Sequence, residues 1–241
     1  MISRQYISEI RLNREAVESF DRYPFSLAAV RPLEKMEFHP AVTFFVGENG
    51  SGKSTLLEAI AVSFGFNAEG GSKNFRFGTR ASHSELNRFL RVAKGVPRPR
   101  DGFFLRAESF FNVATEIENL GVASSYGDRP LHEQSHGESF LALMVNRFRG
   151  EGLYLLDEPE AALSPSRQLS VITRIHDLVQ QKSQFIIATH SPILMAYTNA
   201  WIYSFSAKGI ERVAYQDTEH YRVTRDFLAN PQRMLRFLME P

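Results

Sequence analysis

Eight consecutive residues, Gly47-Glu48-Asn49-Gly50-Ser51-Gly52-Lys53-Ser54, follow the pattern GxxxxGK[ST]. Glycines at this spacing let the backbone fold tightly, so that successive N–H groups converge on phosphate oxygens. Lys53 is placed to reach the β- and γ-phosphates and the Ser54 hydroxyl to ligate Mg²⁺, with Thr55 closing the set. About a hundred residues later, Leu153-Tyr154-Leu155-Leu156 runs into two carboxylates, Asp157 and Glu158. An acid at the end of a buried strand can hold the metal, which suits Asp157. The neighbouring Glu158 can then polarise a water as general base. His190 follows the apolar run Phe185-Ile186-Ile187-Ala188 and Thr189, a place that suits a side chain hydrogen-bonding a γ-phosphate. Lys53, Glu158 and His190 are thus the catalytic candidates, and Ser54 and Asp157 the metal ligands.

These residues need particular elements around them. Ala41 to Val46 is a short β-rich run that meets the glycine loop, and Ser54 to Phe64 carries Leu56, Leu57, Ile60, Ala61 and Phe64 at helical spacing. Strand, glycine loop and helix together form the setting that a phosphate-binding loop requires, with the helix N-terminus adding its positive end. Leu153 to Leu156 and Phe185 to Ala188 read as buried strands, and Ser166 to Gln181 as the amphipathic helix between them. The first stretch, Tyr6 to Leu33, predicts short strands of a side sheet. The middle, 65 to 135, reads as an inserted helical lobe or as an ordinary excursion between core strands, with a helical piece at Ser84 to Lys94 and one strand at Phe103 to Arg106. Phe103, Phe104, Phe110 and Phe111 read as core rather than as a base-stacking platform. A tail helix is predicted from about Thr224 to Met239.

Three motifs in this order, joined by Ser135-His136-Gly137-Glu138-Ser139, resemble the heads of ATP-binding-cassette (ABC) ATPases. Ser135, Gly137 and Glu138 match the family signature in an SxGE form, similar to chromosome-maintenance and recombination-repair heads more than to transporters. Ser135 and Glu138 also fit a helix-capping box, and the two readings are compatible. More closely, the chain resembles small stand-alone bacterial "AAA family" ATPases of the ABC class. The resemblance implies an α/β P-loop NTPase with a mainly parallel central sheet, a short antiparallel side sheet and the small lobe, all in one ATPase domain over 1–241. It implies ATP and Mg²⁺ as ligands, and nucleotide contacts from Gly47, Asn49, Gly50, Ser51, Gly52, Lys53, Ser54 and Thr55. It also implies a head-to-tail homodimer in which Ser135, Gly137 and Glu138 of one copy complete the site of the other.

Two departures from the family pattern stand out. No glutamine occurs from Ser54 to Glu133, where the family carries one that ligates Mg²⁺; Glu108 or Ser109 are the available stand-ins. The interval from Lys53 to Ser135 is also too short for long coiled-coil arms. Glu160-Ala161-Ala162-Leu163-Ser164-Pro165 resembles the family's D-loop, with Ser164 where an acid is usual.

The bulk numbers agree with a globular chain. Hydrophobic residues make up 43% of 241, and 28 Lys and Arg against 27 Asp and Glu leave a net charge of +1. That balance gives no general electrostatic reason to expect nucleic acid or membrane as a partner. With no cysteine there is no disulfide framework or thiolate metal site. His132 and His136 lack a carboxylate partner at metal-ligand spacing. No signal peptide or spanning run is visible, so a cytoplasmic protein is expected. The expected activity is Mg-dependent ATP hydrolysis driving a dimer switch that acts on DNA or a partner protein. The alternatives are a transporter's nucleotide-binding subunit and an ATP-dependent binding module with little turnover.

Overall fold

The computed structural model describes residues 5–73, 84–110, 115, 117 and 135–239. Part of the expected helical lobe (74–83, 111–114, 116 and 118–134), including Phe111 and His132, lies outside these residues. The centre is a six-stranded sheet formed by β3 (Val42–Gly47), β5 (Asp101–Arg106), β6 (Gly152–Asp157), β7 (Gln184–Ala188), β8 (Ala200–Ser206) and β9 (Gly209–Val213). Its order is β5-β6-β7-β3-β8-β9, with every neighbouring pair parallel except β8 and β9.

Central strands buried on both faces explain why these runs are continuously apolar. Along β3, Val42, Phe44 and Val46 face one core cluster and Phe45 the other. Tyr154 and Leu156 oppose Leu153 and Leu155 in the same way, as Phe185 and Ile187 oppose Ile186 and Ala188. On the first face lie α3 (His136–Asn146), through Phe140, Leu143 and Met144, and α4 (Pro165–Gln180), through Val171, Ile175 and Leu178. Helix α4 begins where Ser164 Oγ accepts the Arg167 N–H and Pro165 occupies its first position. The second face is covered by α1 (Lys53–Ser63), through Leu56, Leu57, Ile60 and Ala61, and by a three-stranded antiparallel sheet.

That side sheet differs from the sequence expectation. Its strands are β1 (Ile7–Leu12), β2 (Lys35–Glu37) and β4 (Leu90–Lys94), in the order β2-β1-β4. Within Tyr6 to Leu33 only β1 is a strand; the rest turns over the glycine loop, where Leu27 and Ala29 pack against Gly52. The helix expected from Ser84 to Lys94 shrinks to α2 (Leu86–Phe89) and gives way to β4. Pairing with β1 overrides local helix propensity there: Ile10 stands opposite Val92 and Leu12 opposite Leu90. The expected tail helix is two helices, α5 (Glu219–Ala229) and α6 (Pro231–Met239). They are separated at Asn230 because Pro231 cannot donate an intrahelical hydrogen bond.

A buried glutamine, Gln184, fastens the side sheet to the main one. Its Oε1 accepts from the backbone N–H groups of Tyr6 (2.9 Å) and Ile7 (3.0 Å), and its Nε2 donates to the carbonyls of Ile7 (2.8 Å) and His39 (3.0 Å). The side chain therefore satisfies four backbone groups that no strand ladder reaches. Gln184→Leu should destabilise the fold by about 3 kcal/mol or more, because those donors and acceptors stay buried and unpaired. Denaturant unfolding will check this; a loss below about 1 kcal/mol would mean water takes over the clip.

Candidate functional site

Strand β3 ends at Gly47, whose φ of 141° and approach to the Phe205 carbonyl leave no room for a side chain: a Cβ would lie 2.2 Å from that oxygen. Gly52, at φ 99°, caps α1 in a left-handed conformation that glycine adopts without strain. Between them the loop wraps round the Lys53 ammonium, which donates to the carbonyls of Gly47 and Glu48, both at 2.8 Å. An ammonium has three donors, so one remains for an anionic oxygen. Lys53 is only 4% exposed, and burial lowers its pKa against the pull of Glu158, Asp157 and Glu160. Glu48, Asn49, Gly50 and Ser51 line a pocket of about 470 Å³ that also touches Ser204 to Ala207 and His220. Thr55, on the first turn of α1, has its Oγ1 3.4 Å from the Tyr23 hydroxyl.

The parallel order of β3, β7 and β6 brings the remaining candidates to the same end of the sheet. Ser54 Oγ donates to Asp157 Oδ1 at 2.9 Å. Burial pushes the Asp157 carboxyl up to about 6, although Arg106 and the Ser54 hydroxyl pull the other way. Glu158 leaves β6 in a left-handed conformation (φ 51°), unusual for a residue with a side chain, and its N–H donates to the Ala188 carbonyl at 2.9 Å. This turn carries the Glu158 carboxylate to 3.6 Å from His190 Nε2. The His190 N–H in turn donates to Glu160 Oε1 at 2.5 Å, so Glu160 points inward and steadies the histidine loop. Burial, helped by Lys53 and His220, lowers the His190 pKa and favours the neutral ring.

Lys53, Ser54, Asp157, Glu158 and His190 thus form one constellation, whereas Ser135 and Glu138 belong to another. Ser135 precedes α3; its N–H donates to Glu138 Oε2 at 3.1 Å and its hydroxyl donates to the same oxygen at 2.8 Å. Arg167 binds both, at 3.4 Å from Ser135 Oγ and 3.1 Å from Glu138 Oε1. At Gly137 a Cβ would lie 2.5 Å from the Ala162 carbonyl and 2.6 Å from Arg167, so this position is closed to side chains. Among the described residues, no hydrogen bond of Ser135 or Glu138 reaches the phosphate-binding loop.

Three residues escaped the sequence reading. Arg106, at the end of β5, joins Glu58, Glu108 and the Ala68 carbonyl and brings its Nε to 3.6 Å from Asp157 Oδ2. Its signal was its place at the end of a strand that turned out to pair with β6. Arg167 was one basic residue on an amphipathic helix. His220, beyond the last motif, meets His190 at 3.0 Å and carried no sequence signal at all. Of the two stand-ins for the absent glutamine, Ser109 spends its hydroxyl on the Glu69 carbonyl, whereas Glu108 is held by Arg106 on the Asp157 side.

Two family descriptions match successive parts of the chain. Residues 24–112 match a family described as "AAA domain", and residues 120–196 match "AAA domain, putative AbiEii toxin, Type IV TA system". An ABC transporter G family member, STR2 of Medicago truncatula, is 30% identical over 171 residues, covering 63% of this chain and 24% of that protein. The manganese transport system ATP-binding protein MntA of a Synechocystis strain is 28% identical over 167 residues, covering 62% and 64%. The matched stretch therefore spans less than two thirds of either relative. Among solved structures, cbiO1 of Clostridium perfringens, part of the ABC transporter complex cbiONQ, aligns over 98% of this chain and 100% of its own. It does so at 18% identity with a TM-score of 0.50, a likeness of fold. Motif order, fold and sequence relatives point the same way: the chain is similar to ATP-binding P-loop ATPases of the ABC class.

Proposed function

We propose that this chain hydrolyses MgATP as one half of a head-to-tail homodimer, in which the Ser135 signature of each copy completes the nucleotide site of the other. One observation carries the reading: Lys53, Ser54, Asp157, Glu158 and His190 converge at one end of the sheet, while among the described residues the signature serine is bonded only within its own corner.

The residues present fit ATP and Mg²⁺. Among the described residues, buried polar atoms left without a hydrogen-bond partner include Ser51 Oγ, in the loop that would take the phosphates, and His190 Nε2, near it. Ser54 and Asp157 offer the hydroxyl and single carboxylate that Mg²⁺ commonly takes alongside phosphate oxygens. When bound, that ion neutralises charge on the phosphates. Lys53 adds its free donor, and the N–H groups from Gly50 to Thr55 bind oxygens at the start of α1. Glu158 orients the attacking water and accepts its proton. His190 donates from Nε2 to the γ-phosphate, and Ser135 of the partner subunit closes the site from across the interface. ATP thereby bridges two copies, and its hydrolysis releases them.

For what this cycle drives, the SxGE signature and the missing glutamine favour a switch acting on DNA or a partner protein. The names of the sequence relatives favour a second reading, the nucleotide-binding subunit of a transporter whose membrane part is a separate chain. Among the described residues no helix is long and apolar enough to cross a membrane. ATP-dependent retention on DNA supports the first; co-purification with a membrane protein supports the second.

Glu158→Gln should retain ATP without cleaving it and double its mass in light scattering when MgATP is added; a variant that stays at 27.4 kDa would end the dimer reading. Asp157 yields a second expectation. Its folded-state value lies above the ordinary 3.8, so ionising it costs stability that develops as pH rises from 3.8 through about 6 and is complete at pH 7. At about 1.4 kcal/mol per pKa unit, the cost is of the order of 2–3 kcal/mol. Asp157→Asn should therefore raise the melting temperature of the nucleotide-free chain at pH 7, by roughly 2–4 °C per kcal/mol, while abolishing Mg²⁺-dependent ATP retention. A melting temperature that falls together with retention would mark Asp157 as structural.

A further inference from the structure

We propose that His220, supplied by the C-terminal helix α5, is a positioning residue that holds the His190 ring as its Nε2–H tautomer and so presents it as a donor to the γ-phosphate. The inference rests on the role given to His190 above.

The geometry is specific. His190 Nδ1 and His220 Nε2 are 3.0 Å apart, a distance that accommodates one shared hydrogen. If His190 donated it, a neutral His190 would present a bare lone pair at Nε2. That atom is buried, has no hydrogen-bond partner within 3.5 Å among the described residues and lies 3.6 Å from a Glu158 carboxylate oxygen, so lone pair would face anion. If His220 donates, the His190 hydrogen sits on Nε2, facing the carboxylate and the space beyond the glycine loop. The second arrangement is the favourable one, because the bond made by one ring nitrogen sets the tautomer at the other. Burial and Lys53 also lower the pKa of both rings, in keeping with a neutral pair.

His220 is also held in place independently of that bond. Thr218 caps α5 by accepting the Tyr221 N–H (3.3 Å), and its own hydroxyl donates to the Tyr215 carbonyl (2.7 Å). The Tyr215 hydroxyl then donates to the carbonyl of Pro192, two residues beyond His190 (2.8 Å). The start of α5 and the histidine loop are thus tied at two points. Helix α5 buries no residue, so core packing does not account for where its first turn lies. His220 and Glu219 instead border the pocket with Glu48, Asn49 and His190. The tail helix is in this way connected to the residue that senses the γ-phosphate.

The test combines His220→Ala, His220→Gln, His190→Ala and the His190→Ala/His220→Ala double variant. His190→Ala should lower kcat on the order of 100-fold. His220→Ala should lower kcat about tenfold with KM within about twofold, and add nothing further in the double variant. His220→Gln, whose amide can still donate to Nδ1, should recover most of the loss. Nitrogen NMR of isotope-labelled histidine in the nucleotide-free chain reads the tautomer directly: Nε2–H at His190 in the parent and in His220→Gln, redistributed in His220→Ala. Full turnover in His190→Ala would remove the role assigned to His190 itself. An impaired His190→Ala beside a fully active His220→Ala, or a His190 tautomer unchanged in His220→Ala, would overturn the inference and leave that role standing.

Discussion

Three strands far apart in sequence must lie side by side for this site to exist. With β7 between β3 and β6, parallel and in register, the glycine loop, the Asp157-Glu158 pair and the His190 loop emerge from the same sheet edge. Neighbouring strands are about 4.8 Å apart, so side chains leaving three adjacent ends can meet over one phosphate group. Parallel pairing requires crossovers, and the helices that make them, α1 and α4, bury both faces of the sheet. The continuous apolar strands and the clustering of the polar residues at their ends are consequences of one arrangement.

That arrangement places charges where water is scarce. Lys53 and Asp157 are both almost fully buried, and burial disfavours the charged form of each. Arg106 relieves part of this strain from the neighbouring strand, bridging Asp157 and Glu58. Loop carbonyls and the Ser54 hydroxyl relieve more. Buried polar groups left partly unsatisfied in this way suit the anionic, metal-bearing ligand proposed above, and their burial costs the fold stability.

The signature corner follows a different logic. Ser135, Glu138 and Arg167 form a closed set of hydrogen bonds at the start of α3, and Gly137 is hemmed in by the Ala162 carbonyl and Arg167. The capping and signature interpretations of Ser135 are therefore compatible: the bonds that begin the helix also fix the face it would offer to another copy. Arg167 adds positive charge to that face from α4.

The candidate site was legible from the sequence because its residues lie in contiguous motifs. Glycines that a tight loop needs, a lysine and serine opening a helix, and acids ending an apolar strand are local requirements, and each left its pattern. The central strands were legible too, since burial on both faces demands continuous apolar runs. What tertiary structure alone decided are pairings between distant segments. Leu90–Lys94 is a strand because β1 offers it an edge, and Gln184 matters because of backbone groups nearly 180 residues away. Arg106 and His220 acquire their places only when β5 joins β6 and when the tail returns to the glycine loop. No local spacing encodes a hydrogen bond between residues 30 positions apart such as His190 and His220; it follows from where the folded chain brings two rings together.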